Sequence, residues 1–286
     1  MNTTKSAILL IHCADKRGLV EGVADFILRH NGNILHFDQH VDREKEVFFM
    51  RAEWDLSGFD LEGNEIATCF DLEIGRKFEM QWKLHFSDEK IRMAIFVSKI
   101  SHCLYDLLAR VHSGIWDVDI PLIISNHPDL ETVARNFDIP YHLFPMSKAN
   151  RNEQEAKQIR LLADYKIDLV VLARYMQILS SDFIKEYPNR IINIHHSFLP
   201  AFAGAKPYHA AYERGVKIIG ATSHYVTEEL DAGPIIEQDV AQVNHRYAVE
   251  DMIREGQDLE KVVLSRAVYA HIKRRILVYD NRTVVF

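Results

Sequence analysis

This chain of 286 residues is short of cysteine, of long apolar runs and of positive charge, and each shortage excludes something. Its three cysteines, Cys13, Cys69 and Cys103, are scattered along the chain. They show no metal-ligand spacing, and a sparse, odd count fits a reducing compartment, so free thiols are expected rather than disulfides. No apolar run approaches the roughly 18 to 20 residues that cross a bilayer. The opening Met1-Asn2-Thr3-Thr4-Lys5-Ser6 has no basic segment leading into an apolar signal core. A cytoplasmic protein with no membrane partner is the expectation. The net charge of −7 argues against nucleic acid, whose recognition relies on clustered Lys and Arg. The basic run Lys273-Arg274-Arg275 is short and ends an expected helix, where it suits the negative helix end or water.

What is present reads as an ordinary globular chain, 48% hydrophobic and 26% charged, long enough for two domains. No repeats or low-complexity tracts occur. The first domain, residues 1–86, shows strands at 7–12, 34–41, 46–54 and 81–86. Helices are expected at 19–30 and about 60–75, the first with Leu19, Val23, Phe26 and Ile27 in helical period and Gly32 placed to end it. The order βαββαβ is a ferredoxin-like arrangement. Residues 87–91 form a short polar linker. From 91 to 286 strand and helix alternate, which argues for an α/β, doubly wound, mostly parallel sheet with helices on both faces. Expected here are strands at 92–97, 120–124, 141–144, 167–173 and 191–195. Helices are expected at 102–111, 129–137 with Asp129 as cap, 152–165, 181–187 and about 259–274. Ligands of such sheets collect outside the carboxyl ends of strands.

At that end lies Asn193-Ile194-His195-His196-Ser197-Phe198-Leu199-Pro200, followed later by Thr222-Ser223-His224 and by Glu228-Glu229-Leu230-Asp231-Ala232-Gly233-Pro234. Strand residues two apart share a side, so Asn193 and His195 face one pocket, and the later turn can bring Asp231 to the imidazole. These groups can act on a carbonyl without a covalent nucleophile. The plain alternative is a buried strand with incidental polar residues. His196 falls on the opposite side of the strand, which favours a structural role. His224 shares parity with Gly220 and Thr222 and suits either a direct or a supporting place. The histidines lack a compact pair backed by a third ligand, so no metal is expected.

The two stretches resemble the folate-dependent formyltransferase family, and the resemblance covers about residues 91–286. It implies 10-formyltetrahydrofolate as substrate, no separate cofactor, and Asn193, His195 and Asp231 as catalytic groups. It further implies that Tyr175, Met176, Ile178 and Leu179, in the run Arg174-Tyr175-Met176-Gln177-Ile178-Leu179-Ser180, line the pterin. Glu228, Glu229 and Leu230 would close over its other edge. On pattern alone Tyr175, Met176, Ile178 and Leu179 read as core. The order of the first domain, with Asp15-Lys16-Arg17-Gly18-Leu19-Val20 after its first strand, is similar to ACT modules that sense amino acids. Asp15, Gly18, Asn31 and Asn33 are the candidate effector contacts, with Gly18 permitting close backbone approach. The plain alternative is that Gly18 serves only a tight turn and the domain only joins subunits. The resemblance implies glycine or methionine as effector and a homo-oligomer.

The acceptor is the remaining question. Glycinamide ribonucleotide transformylases carry a glycine-rich phosphate cradle after the first strand of this domain. Here the stretch reads Val97-Ser98-Lys99-Ile100-Ser101-His102-Cys103-Leu104 and has no glycine. Side chains there hinder the backbone approach a phosphate needs, although Ser101 is placed to cap a helix and Lys99 to meet an anion. Methionyl-tRNA formyltransferases add a C-terminal domain and a basic surface, whereas this chain is acidic. An ACT-like domain fused to a domain without the cradle resembles the hydrolytic branch of the family, in which water replaces the amine and the products are tetrahydrofolate and formate. The alternative is transfer to an amine such as glycinamide ribonucleotide.

Overall fold

The structure is a computed structural model that describes residues 5–200 and 207–286. The chain divides into two compact units. The first holds the chain through Lys90 together with Lys273–Leu277 and Val284–Phe286, and the second holds Ile91–Ile272 and Val278–Thr283.

In the first unit the order is β1 (Ser6–Ala14), α1 (Leu19–Arg29), β2 (Asn33–Asp42), β3 (Val47–Asp55), α2 (Asn64–Phe70) and β4 (Gln81–Phe86), with α2 running on as a π-helical turn, Asp71–Gly75. The strands form an antiparallel sheet in the order β2-β3-β1-β4. Leu19, Val23, Phe26 and Ile27 are the buried stripe of α1, as their period predicts, and they pack with Leu9, Ile11, Met50 and Trp54. Gly32 does not itself take the left-handed turn after the helix. Asn31 does, at φ 61°, while the Gly32 N–H donates to the Ile27 carbonyl at 2.8 Å. Gly32 is still required, because a Cβ there would lie 2.7 Å from Ile27 Cγ2.

A boundary at residue 91 assigns everything to 286 to the second domain, whereas Lys273–Leu277 and Val284–Phe286 belong to the first unit. Arg51, buried in β3, donates to the Arg274 carbonyl at 3.0 Å and to Glu53 at 2.7 Å. A buried guanidinium needs such acceptors, and the chain that follows the last helix supplies them.

The second unit begins with β5 (Ile91–Val97), α3 (His102–His112), β6 (Val118–Ser125), α4 (Glu131–Asn136), β7 (Tyr141–Leu143), α5 (Arg151–Asp164), β8 (Leu169–Leu172), α6 (Ser181–Glu186) and β9 (Ile191–His195). It continues with α7 (Pro207–Arg214), β10 (Ile218–Tyr225), β11 (Ile235–Gln242) and α8 (Val249–Ile272), and the chain ends in the hairpin β12 (Ile276–Tyr279) and β13 (Arg282–Val285). The sheet runs β11-β10-β9-β8-β5-β6-β7. Strands β5 to β9 are parallel, and β10 and β11 join by antiparallel pairing. Residues from α5 and α6 pack on Ala94, Phe96, Val170 and Leu172, while the alternating Met93, Ile95 and Val97 are equally buried on the other face. Neither Asp129 nor Ser101 caps its helix. Helix α4 starts only at Glu131 after Leu130, and no side chain caps α3. Helix α8 starts ten residues earlier than its apolar pattern suggests, since Glu250 and Asp251 in its first turn suit the positive helix end.

The chain leaves β5 toward β6 and β7, then returns to β8 on the other side. That reversal opens a crevice beyond the carboxyl ends of β5 and β8. Residues 98–101 and 173–180 meet there.

Candidate active site

The segment after β8 is held from several sides. The Met176 N–H donates to the Ser98 hydroxyl at 3.0 Å, and that hydroxyl donates to Asn126 Oδ1 at 2.7 Å. Arg151 donates to the Ile178 carbonyl. The Ser180 N–H reaches Glu155 at 3.2 Å, and the Ser180 hydroxyl caps α6 by accepting from Phe183 N–H. A loop tied at so many backbone atoms is a preformed wall.

The turn after β10 is fixed by a different device. Asp231 sits at φ 56°, and a Cβ on Gly233 would lie 1.8 Å from the Tyr225 carbonyl oxygen. Only glycine fits there, and the Tyr225 N–H closes the turn on the Pro234 carbonyl at 2.9 Å. The Ala232 carbonyl accepts from Asn281 at 2.8 Å. Asp231 is thereby aimed back at the sheet.

Across β9 and β10, Asn193 pairs with His224 and His195 with Thr222. Asn193 Nδ2 lies 3.3 Å from His224 Nε2, and His224 Nδ1 lies 2.9 Å from the Tyr225 carbonyl oxygen. A carbonyl only accepts, so Nδ1 carries the proton and Nε2 accepts from the asparagine amide. His195 Nδ1 lies 3.3 Å from Asp231 Oδ2, while His224 Nε2 is 3.8 Å from Oδ1, beyond hydrogen-bond reach. His195 Nε2 is buried without a partner among the described residues. The His195 contact holds the Asp231 carboxyl below its ordinary range, against burial, which pushes it up. Burial lowers the His224 imidazole.

All three residues line one cavity of about 480 Å³. Tyr175, Met176, Ile178 and Leu179 form one wall, and Glu228, Glu229, Leu230 and His224 lie on another. Met176, Ile178 and Leu230 are more than half exposed, which is unusual for such apolar groups and suits a ligand-covered mouth. Tyr175 also belongs to the core, edge-on to Phe96 at 5.2 Å. His196 departs from its expected place. Strand β9 ends at His195, so alternation no longer governs the next residue, and His196 lines the same cavity with its ring centroid 5.2 Å from that of His195. Burial, with the charge of Arg174, brings it down to about 4.

Sequence reasoning passed over Arg174, which lines the cavity, and the cluster behind it. Glu260 is buried, accepting from His102 Nε2 at 2.8 Å and Tyr208 Oη at 2.9 Å. The available signal was a carboxylate on the apolar stripe of α8, in step with Gly256, Val263, Leu264 and Ala267. His102, Cys103 and Glu260 hold donor atoms within 4.8 Å of one another. Burial pushes the Cys103 thiol well up and the Glu260 oxygens are already engaged, so the donor chemistry is that of a hydrogen-bonded cluster.

Of the expected effector contacts, Asp15 and Gly18 line a separate cavity of about 540 Å³ in the first unit. Asn31 and Asn33 do not line it. The Asn31 amide instead donates to the Gly58 carbonyl at 2.8 Å, a structural task created by its left-handed turn. The three cysteines are free, and no helix among the described residues is long and apolar enough to cross a membrane.

Residues 91–268 match the formyl transferase family model. A formyltetrahydrofolate deformylase of Synechocystis sp. is 54% identical over 98% of both chains. The crystal structure of a formyltetrahydrofolate deformylase from Pseudomonas syringae pv. tomato superposes with a TM-score of 0.97 at 47% identity, covering 100% of this chain and 96% of that one. A glycinamide ribonucleotide transformylase from Symbiobacterium toebii is more distant, with a TM-score of 0.65 at 31% identity over 71% of this chain and 98% of its own. This chain belongs to the formyl transferase family and, within it, to the formyltetrahydrofolate deformylases.

Proposed function

We infer that the chain hydrolyses 10-formyltetrahydrofolate to tetrahydrofolate and formate, with Asn193, His195 and Asp231 as the reacting set. The observation that carries the assignment of residues is their convergence on one cavity, with His195 Nε2 buried and unpartnered. Asp231 accepts from His195 Nδ1, so in the neutral ring Nε2 holds the lone pair. Water attacks the formyl carbon as Nε2 takes one of its protons. The tetrahedral oxyanion accepts from the Asn193 amide, whose other N–H is spent on His224. The C–N10 bond then breaks, N10 takes the proton from His195, and the remaining proton leaves as formic acid ionises. The pterin lies against the Tyr175–Leu179 wall.

The test is acceptor-free incubation of the purified chain with 10-formyltetrahydrofolate. Stoichiometric formate is expected, and formyl transfer that requires an added amine would move the assignment to a transferase.

The first unit serves, on this reading, as an ACT-type module. Its βαββαβ order, its sheet order and the cavity beside Asp15 and Gly18 support that role. Glycine or methionine is the effector proposed, and a homo-oligomer is the assembly, for which the exposed Ile34 and Leu35 on edge strand β2 are suitable. Formate release with each amino acid present, and light scattering for the assembly, test the two parts. A Gly18→Val variant that kept its full response would exclude the Gly18 cavity.

A further inference from the structure

Arg174 has a buried donor with no acceptor. Its side chain is 10% exposed, and its Nε is buried without a hydrogen-bond partner among the described residues. Glu260 Oε2 lies 3.5 Å from Nε, an ion-pair contact without hydrogen-bond geometry, and the Glu260 oxygens are already engaged by His102 and Tyr208. A guanidinium carries five N–H donors in a rigid fork, and leaving them unmet in the interior is costly. Arg174 also begins the pocket wall in a left-handed conformation, φ 64°, which a non-glycine residue keeps only when its surroundings impose it. It lines the cavity alongside His195 and His196, and its positive charge contributes to lowering His196. The guanidinium is therefore charged and nearly buried, its Nε has no hydrogen-bond partner, and the residue lines the same cavity as His195.

Hydrolysis leaves a carboxylate at that end. Formate retains one oxygen from the formyl group and one from water, and its charge develops beside His195. A planar guanidinium matches a carboxylate with two parallel hydrogen bonds, and a water-poor cavity strengthens the attraction.

We propose that Arg174 forms a carboxylate subsite at the reacting end of the cavity and takes up the formate product. The proposal rests on the hydrolysis inferred above. Glu260 is the competing carboxylate: it offsets the charge of Arg174 and so keeps formate from being held tightly.

The test titrates sodium formate, with sodium chloride at matched ionic strength as control, against the full-length protein and its R174Q, R174K and E260Q variants. Binding is read as inhibition of turnover and as line broadening of ¹³C-formate. R174Q should raise the inhibition constant for formate about tenfold or more while leaving that for tetrahydrofolate within about twofold. R174K, which keeps the charge and loses the fork, should fall between them. E260Q should tighten formate, a gain that a damaged fold would not produce. Equal formate inhibition in wild type and R174Q would overturn the subsite, as would E260Q weakening formate as much as R174Q does. Formate release without any effect of Arg174 removes the subsite and leaves hydrolysis intact, whereas no formate release from the wild type removes the hydrolysis itself.

Discussion

Replacing Asn193 with alanine tests the proposed oxyanion donor. The hydrogen-bond chain that orients the amide runs from the Tyr225 carbonyl through His224 Nδ1 and Nε2 to Asn193 Nδ2. It engages one N–H of the amide and leaves the second for a ligand in the cavity that Asn193 lines. Loss of one such donor in a water-poor site costs about 3–4 kcal/mol of transition-state stabilisation, or roughly 10²–10³ in kcat. KM should change little, because the wall from Tyr175 to Leu179 is anchored by hydrogen bonds to Ser98, Arg151 and Glu155 that do not involve Asn193. The variant also strands the buried His224 Nε2, so about 1–2 kcal/mol of stability should go as well. Formate release gives kcat and KM, a tetrahydrofolate titration gives binding, and a denaturant series gives stability. A folded variant that binds tetrahydrofolate normally and loses less than about tenfold in kcat would refute the donor role.

Further outcomes follow from the same geometry. Asp231→Asn should lower kcat about 100-fold or more, since the His195 tautomer and orientation are no longer imposed, and single-turnover formate release measures it. His196, buried and brought down to about 4, stays neutral while the unfolded chain titrates at about 6.5. Its contribution is therefore whole above about pH 6.5 and is lost as pH falls toward 4, at most about 3 kcal/mol. His196→Phe should flatten that limb in urea midpoints measured against pH. A Cβ on Gly256 would lie 2.0 Å from the Tyr208 hydroxyl, so Gly256→Ala should displace the ring from Glu260 and cost about 1–3 kcal/mol in thermal unfolding.

Much of this was legible in the chain. The strand-helix alternation and the helical period of Leu19, Val23, Phe26 and Ile27 are local patterns, and the structure follows them. The parity of Asn193 and His195 is equally local, and it placed both in one cavity. What was hidden depends on tertiary partners. His196 lies past the end of its strand, where alternation no longer applies, and the Asn31 amide is engaged by the Gly58 carbonyl, a partner that no local pattern names. The left-handed turn at Asp231 and the contact that excludes any Cβ at Gly233 involve Tyr225, a residue of the neighbouring strand. Arg174 and Glu260 are far apart in sequence and declare their relation only when α8 packs on the sheet.

The return of Lys273–Leu277 and Val284–Phe286 to the first unit bears on how the molecule can be made and cut. During synthesis the carbonyls of Lys273 and Arg274 reach Arg51 only after α8 has been made, and until then Glu53 is its acceptor. A single cleavage near residue 90 would yield neither unit whole, so separating the two calls for grafting both distant pieces rather than trimming one end.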